Sequence, residues 1–199
     1  MIRFTPEGSA SIADVNAAPG PAPDAVRLAW PGEADAVAEL QRRVWAAELA
    51  PEVAAAVLGG VDVAEMADAW RQAISRPPQA RFRVLVALEQ NRVVGYATTV
   101  PSPDPDADAA HDGEVQEFAV DPPARHRGHG SRLLHACADT LRADGFDRAR
   151  WWVASQDDAL RAFLTAAGWG PDGSSREIGS EDGAVRLKQV RLHTDLTSA

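Results

Sequence analysis

One stretch narrows what this chain can be more than any other: Arg125-His126-Arg127-Gly128-His129-Gly130-Ser131-Arg132. Upstream, Val115 to Val120 reads as a strand that passes through Asp121-Pro122-Pro123 into the turn. Downstream, Leu133, Leu134, Cys137, Ala138 and Leu141 fall on one side of a helix, with Gly145 past its end. Gly128 and Gly130 let the backbone come close to a ligand, and the free N–H groups of a helix N-terminus point outward. The helix dipole and three arginines favour an anion there, most readily a pyrophosphate. The same residues also fit a plain turn with solvated arginines. Two nucleotide motifs are excluded: Gly130-Ser131-Arg132 lacks the lysine of a phosphate-binding Walker loop, and Leu133 stands where a dinucleotide fingerprint needs its third small residue.

This basic string sits in an acidic chain. With 20 basic and 29 acidic residues the net charge is −9. A binder of nucleic-acid backbones should be basic, so nucleic acid is excluded as a first partner. No apolar run approaches the length of a membrane span, so no membrane partner is expected. The N-terminus lacks a signal-type apolar block, and a cytoplasmic location is the expectation. The single cysteine, Cys137, rules out an internal disulfide and a cysteine-built zinc site.

Residues 1–24, with Pro19-Gly20-Pro21 and no apolar period, read as a flexible tail before a single domain over 25–199. A short strand at Ala25–Trp30 precedes a helix carrying Val37, Leu40 and Val44 and closing before Pro51. Asp62 and Glu65 open a second helix that ends before Pro77. Phe82 to Leu88 and Val93 to Ala97 form a hairpin around Glu89–Arg92, and Pro101 to Gly113 is an acidic loop. Ala149–Val153 is a strand; Leu160, Phe163, Leu164 and Ala167 mark a short helix ended by Gly168. Two last strands, near Arg176–Ile178 and Val185–Leu196, flank a turn at Gly179–Gly183. The order β-αα-ββ-β-α-β-α-ββ gives an α/β (α+β) domain with a mixed sheet flanked by helices.

Val115 to Leu134 resembles motif A of the GNAT superfamily of N-acetyltransferases: a strand, then Arg/Gln-x-x-Gly-x-Gly/Ala, then a helix, here Arg125, Gly128 and Gly130. Phe163-Leu164-Thr165-Ala166-Ala167-Gly168-Trp169 resembles the family's later Phe-Tyr-x-x-x-Gly-Phe segment. The resemblance implies a mostly antiparallel sheet, acetyl-CoA as acyl-donor cosubstrate, no metal, and transfer to an amine acceptor. It implies that the strand opens at a bulge, so that Phe118, Ala119 and Val120 offer backbone groups to pantetheine. The pyrophosphate would lie on amides from His126 to Ser131, among them Gly128, His129 and Gly130, with Arg125 and Arg127 nearby. Asp157 stands where the family often places a cofactor-binding Asn, and an aspartate there also suits a helix cap.

For the chemistry, a carboxylate on the strand before motif A takes the amine's proton in family members. Glu117 occupies the position common in small-molecule enzymes, and Glu114 that of the histone-acetylating branch; alternation on a bulged strand does not choose between them. A backbone N–H near Phe118 or Val120 would hold the thioester oxygen. Leu164 replaces the family's usual phenol. Tyr96, the one tyrosine, is expected to be a strand residue with a wet hydroxyl. His135, His193, Cys137 and the tryptophans 45, 70, 151, 152 and 169 are expected to be surface or core residues. Asp104, Asp106, Asp108, Asp112 and Glu114 together suggest a field that draws in a cationic amine, such as a polyamine, amino sugar, amino-acid derivative or protein amino group. The reading is an acyl-CoA-dependent N-acetyltransferase. A module of the same fold that holds acyl-CoA without turnover is the alternative, and a homodimer is an open option.

Overall fold

The computed structural model describes residues 24–179 and 186–197; all but the last residue of the expected tail at 1–24 and most of the turn at Gly179–Gly183 lie outside the described residues. Among the described residues, seven strands form one sheet in the order β1-β2-β3-β4-β5-β7-β6, flanked by five α-helices. The strands are β1 (Ala25–Leu28), β2 (Arg83–Glu89), β3 (Arg92–Pro101), β4 (Asp112–Val120), β5 (Arg148–Ala154), β6 (Gly170–Gly179) and β7 (Arg186–Asp195). The helices are α1 (Ala34–Glu48), α2 (Pro51–Gly60), α3 (Val63–Ser75), α4 (His129–Ala143) and α5 (Asp158–Ala166). Every strand pair is antiparallel except β4 with β5, which run parallel. No described helix is long and apolar enough to cross a membrane.

The sheet buries both faces. On one, Leu133, Leu134, Cys137 and Leu141 of α4 pack with Leu85, Ala97, Val115, Trp151, Leu164 and Trp169. On the other, Val37, Leu40 and Val44 of α1 cover Val84, Val86, Tyr96 and Ala119. Helical spacing on α1 and α4 and strand alternation on β2 to β4 explain these two layers. Leu164, fully buried in the first layer, fills the core with an apolar side chain.

Two elements differ from the sequence expectation. Pro51 does not simply end a helix; it opens α2 at a first-turn position where its missing N–H costs nothing. Strand β6 begins at Gly170, well before Arg176, because a register shift between Pro171 and Ser175 absorbs Gly173 at φ 88°. Such a bulge looks like a loop when only the sequence is read.

Candidate functional site

Strand β4 builds the site by pairing differently on its two sides. Its pairing with β5 runs only from Asp112↔Arg148 to Glu114↔Arg150. Among the described residues nothing pairs with that edge from Val115 onward, so β4 and β5 splay apart. Three aromatic rings wedge the gap: Phe118 lies 5.0 Å from Trp151 and 6.5 Å from Phe163, centroid to centroid. On its other side β4 pairs with β3, but Ala97 faces Phe118 while Thr99 faces Val115. One residue on β3, Thr98, thus faces two on β4, a bulge at Gln116–Glu117, where Thr98 Oγ1 accepts the Glu117 N–H at 3.0 Å.

The bulge answers a question that strict alternation leaves open. Residues three apart on a regular strand point to opposite faces. One extra residue restores agreement, so Val115 and Phe118 both face α4, and Glu114 and Glu117 both face the α1 side. The two carboxylates nevertheless occupy different surroundings. Glu114 is only 4% exposed and accepts a hydrogen bond from Ser102 Oγ at 3.0 Å. Burial pushes its pKa up, helped by Asp104 and opposed by Ser102 and Arg176. Glu117 is open to solvent on one side, yet protein packed around its carboxyl also raises its pKa, against a lowering hydrogen bond from Tyr96.

The splay opens into a cleft of about 520 Å³ lined by Phe118, Ala119, Val120, Arg125, Gly130 and Phe163, among others. Glu48, His126, Gly128, Ser131 and Asp157 complete its polar end, and Leu160 its apolar wall. Val120 O accepts Arg125 Nε at 3.1 Å, so its backbone faces the cleft, and alternation turns Phe118 the same way. The Ala119 carbonyl faces β3 instead, 2.9 Å from where a Cβ on Gly95 would sit. At the N-terminus of α4, Gly128 is held at φ 84° as N-cap, and His126 also has positive φ, 60°. A Cβ on Gly130 would project between Val120 and Phe163, 3.7 and 3.9 Å from their side chains. The turn is therefore shaped so that no side chain stands between the α4 amides and the cleft, which fits a phosphate group. An apolar wall beyond it fits the thin pantetheine arm of acetyl-CoA.

Not every residue expected at the cofactor turns its side chain there. Arg127 pairs with Glu89 across the β2–β3 turn, and His129, 1% exposed, lies 3.5 Å from the same carboxylate. Their backbones belong to the turn; their side chains do not line the cleft. Asp157 accepts the Leu160 N–H at 2.9 Å and so caps α5 at the cleft's edge. Glu48, at the end of α1, had no signal in the sequence: it meets Arg125 Nη2 at 2.5 Å across 77 residues. Arg43 on the same helix grips Asp121 through two hydrogen bonds of 3.1 and 2.9 Å, fixing α1 alongside the end of β4.

Two expectations need correction. Tyr96 is not a wet strand residue: it is 2% exposed, under α1 and α3, with its ring edge-on to Trp70 at 5.1 Å. The phenol is held far above its ordinary pKa by burial first, then by the charges of Glu117 and Glu48. The acidic loop is likewise not a free negative field. Arg191 bonds Asp104 and Asp106 at 2.9 and 2.7 Å, Arg150 and Arg148 hold Asp112 at 2.8 and 2.7 Å, and Trp152 Nε1 donates to Asp104 at 2.9 Å. Arginines from β5 and β7 neutralise the loop and clasp it to the sheet. Of the other tryptophans, Trp151 and Trp169 are core, and Trp45 and Trp70 are half-buried around α1 and α3. Cys137 is buried, and its thiol is pushed up to about 12 by that burial. His135 is exposed, with Nδ1 2.7 Å from the Ser131 carbonyl, and His193 is half-buried on β7.

Comparison with known proteins agrees with this geometry. The model of the acetyltransferase (GNAT) family matches residues 34–169. Over 59 residues, 30% of this chain and 20% of the relative, the sequence is 37% identical to a mycothiol acetyltransferase from Beutenbergia cavernae. The match thus spans about one fifth of that relative's length. An N-acetyltransferase from Staphylococcus aureus Mu50 superposes with a TM-score of 0.69 at 17% identity, covering 88% of this chain and 100% of the other. A ribosomal-protein-alanine N-acetyltransferase from Brucella melitensis gives 0.66 at 22% identity, covering 86% and 99%. A Salmonella typhimurium structure solved with its cofactor acetyl-CoA gives 0.66 at 20% identity, covering 88% and 95%.

Proposed function

The chain belongs to the acetyltransferase (GNAT) family, and from that premise we propose that it moves an acetyl group from acetyl-CoA to a primary amine, with Glu117 as general base. The carrying observation is Glu117 itself: a carboxyl set on a bulge beside the cleft, its pKa raised by surrounding protein. Raising a carboxyl toward neutral pH improves it as a proton acceptor. Acetyl-CoA, when bound, supplies the acetyl group as an activated thioester. The amides of Gly128 to Ser131 would hold its phosphates, with Arg125 beside them, and the cleft-facing backbone of Phe118 and Val120 would receive its pantetheine. An N–H of that edge would also polarise the thioester oxygen. Glu117 then takes the proton that an alkylammonium must lose before it attacks. Glu114, closed in by Ser102, is the less accessible carboxylate for that task.

A cationic acceptor, small molecule or protein amino group, is favoured by the carboxyl of Glu48 in the cleft lining, by Glu117 on the bulge next to the lining residue Phe118, and by the net charge of −9. The paired acidic loop contributes little to that preference. The test is incubation with acetyl-CoA and a panel of polyamines, amino sugars, amino-acid derivatives and peptide N-termini, read as free thiol. Release with at least one amine supports the proposal. Tight acetyl-CoA binding with no thiol released by any of them supports the reading as a binding module. Leu164, buried where the family usually carries a phenol, is the observation in that reading's favour.

A further inference from the structure

The α1 side of the sheet changes character at the splay. Helix α1 lies over β3 and β4 there, and α3 over β2. Beyond the splay, Trp151 and Leu192 belong to the α4 layer, so alternation turns Arg150 and Trp152 of β5 and Gln189 and Arg191 of β7 to the α1 side. The pairing of Arg176 with Gln189 adds Arg176 of β6 to that face. Register also sets Trp152 against the base. Glu114↔Arg150 is the last pair that β4 and β5 make, and one pleat further on the same side stand Glu117, after the bulge, and Trp152. The carboxyl and the indole therefore occupy opposite lips of the splay, and an amine that reaches Glu117 from this side passes the ring.

Two of the three arginines on that face are spent on the acidic loop. Arg191, its side chain 5% exposed, binds Asp104, Asp106 and Asp172, and Arg150, equally buried, binds Asp106 and Asp112. Arg176 is different. Its side chain is 40% exposed, and its guanidinium lies 4.2 Å over the centre of the Trp152 ring. Nε donates to Gln189 Oε1 at 2.8 Å, and among the described residues the nearest carboxylate is Asp104, 3.7 Å from Nη1 and already bonded to Arg191 and to the Trp152 N–H. Stacking and the Nε bond fix the plane of the fork and direct its Nη edge to a planar anion. The mouth is thus negative on one lip, at Glu117 and Glu48, and positive beyond the other, at Arg176. We propose that Arg176, seated on Trp152, determines acceptor specificity, and that the acceptor is a small amino acid whose amine goes to Glu117 and whose carboxylate goes to Arg176. The proposal rests on the reading of Glu117 as base and adds the acceptor's other end. Neighbouring strands stand about 4.8 Å apart, and these two splay, so the charged ends of the acceptor lie further apart than that. A flexible ω-amino acid spans such a distance, and glycine does not.

The experiment uses matched pairs: glycine, β-alanine, γ-aminobutyrate, δ-aminovalerate and ε-aminocaproate, each beside the alkylamine that lacks only its carboxylate. With acetyl-CoA and the full chain, kcat/KM should favour the longer amino acids over their alkylamines by about ten- to hundredfold, the worth of hydrogen bonds to a charged group. Arg176→Gln should lower the amino acid at least tenfold more than its partner, and Arg176→Lys, which keeps the charge but not the fork, should restore only part of the difference. An alkylamine that matches or beats its amino acid in the wild type overturns the proposal. So does an Arg176→Gln variant in which both members fall alike, the mark of a merely structural role. A second measurement needs no turnover: the N-acetylated forms of the same pairs, titrated by calorimetry into the protein with CoA present. There the carboxylate should again strengthen binding, and Arg176→Gln should remove most of that gain. The two ideas then fail separately. Arg176-dependent binding of the N-acetyl amino acids with no acetyl transfer to any amine removes the transfer reading and keeps this site. Transfer to alkylamines with no effect of Arg176→Gln in either measurement removes the site and keeps the transfer.

Discussion

Gly128 and Gly130 stand two residues apart in the same turn, yet the structure assigns their lack of a side chain to different causes, and alanine separates them. At Gly128 the cause is the backbone: φ is 84°, where an L-residue is strained by about 1–2 kcal/mol. The new Cβ would also lie 3.1 Å from Arg132 Nη1, the far end of a side chain that can move aside. For a chain of this size, roughly 2–4 °C of melting temperature goes with each kcal/mol, so Gly128→Ala should melt about 2–8 °C lower. Gly130 has no positive φ, and its Cβ would make only ordinary contacts at 3.7 and 3.9 Å. Inside the first turn of α4, alanine there should leave stability unchanged or raise it by up to ~1 kcal/mol. The cost appears in binding, because the methyl group occupies the wall of the cleft where a phosphate must reach the amides. Calorimetry should show acetyl-CoA bound at least tenfold more weakly by Gly130→Ala, about 1.4 kcal/mol. Wild-type affinity in Gly130→Ala would refute the placement of the pyrophosphate, and a drop in its melting temperature matching that of Gly128→Ala would refute the division of causes.

Other perturbations address the rest of the site. Glu117→Gln should lower kcat/KM by roughly 10²–10⁴ on any acceptor found by the thiol screen, while acetyl-CoA affinity stays as it was; near wild-type turnover sinks the assignment. Glu48→Gln removes a carboxylate from the cleft and releases Arg125 for an anion, so acetyl-CoA should bind a few-fold more tightly at low salt, and weaker binding contradicts this. Arg191→Leu strips the cation from Asp104, Asp106 and Asp172, and should reduce stability by roughly 3 kcal/mol in a chemical denaturation series. Arg191 holds the Asp106 carboxyl below its usual range; at Asp112 burial pushes upward, but Arg148, the Asp108 amide and Arg150 outweigh it. Carboxyls lowered in the fold stabilise it above the ordinary aspartate pKa, near 3.9, and lose that contribution as pH falls through the lowered values. The wild type should therefore weaken as pH drops below about 4, and Arg191→Leu should show a flatter acid limb.

The turn at Arg125–Ser131 and its flanking strand and helix were legible because everything that specifies them is local: glycines, a helix face, an alternating strand. The cleft they open on follows from register, which no single strand encodes. Whether Glu114 and Glu117 share a face depends on how β4 meets β3, and the bulge shows only in the pairing of Ala97 and Thr99 with their partners. Long-range partners were invisible for the same reason. Arg191 lies 87 residues from Asp104, so the loop read as a free acidic field although arginines from distant strands neutralise it. Tyr96 read as a wet strand residue because nothing near it in the chain announces that α1 and α3 will cover its ring. Pro51 was read rightly as lying past the end of α1, but the helix it opens went unread, since proline marks the start of a helix as readily as its stop.

The splay between β4 and β5 also has a mechanical meaning. Three residue pairs, from Asp112↔Arg148 to Glu114↔Arg150, form the seam between a four-strand half of the sheet and a three-strand half. Beyond that seam the halves are held at their distance by rings rather than by backbone hydrogen bonds. The seam acts as a fulcrum, clamped by the Arg148 and Arg150 bonds to Asp112, and Phe118, Trp151 and Phe163 act as the spacer that sets the opening. The aperture of the site is thus governed by the thickness of a few side chains close to a pivot. A relative with a smaller residue in place of Phe118 would carry the same turn and the same carboxylates on jaws set to a different gape.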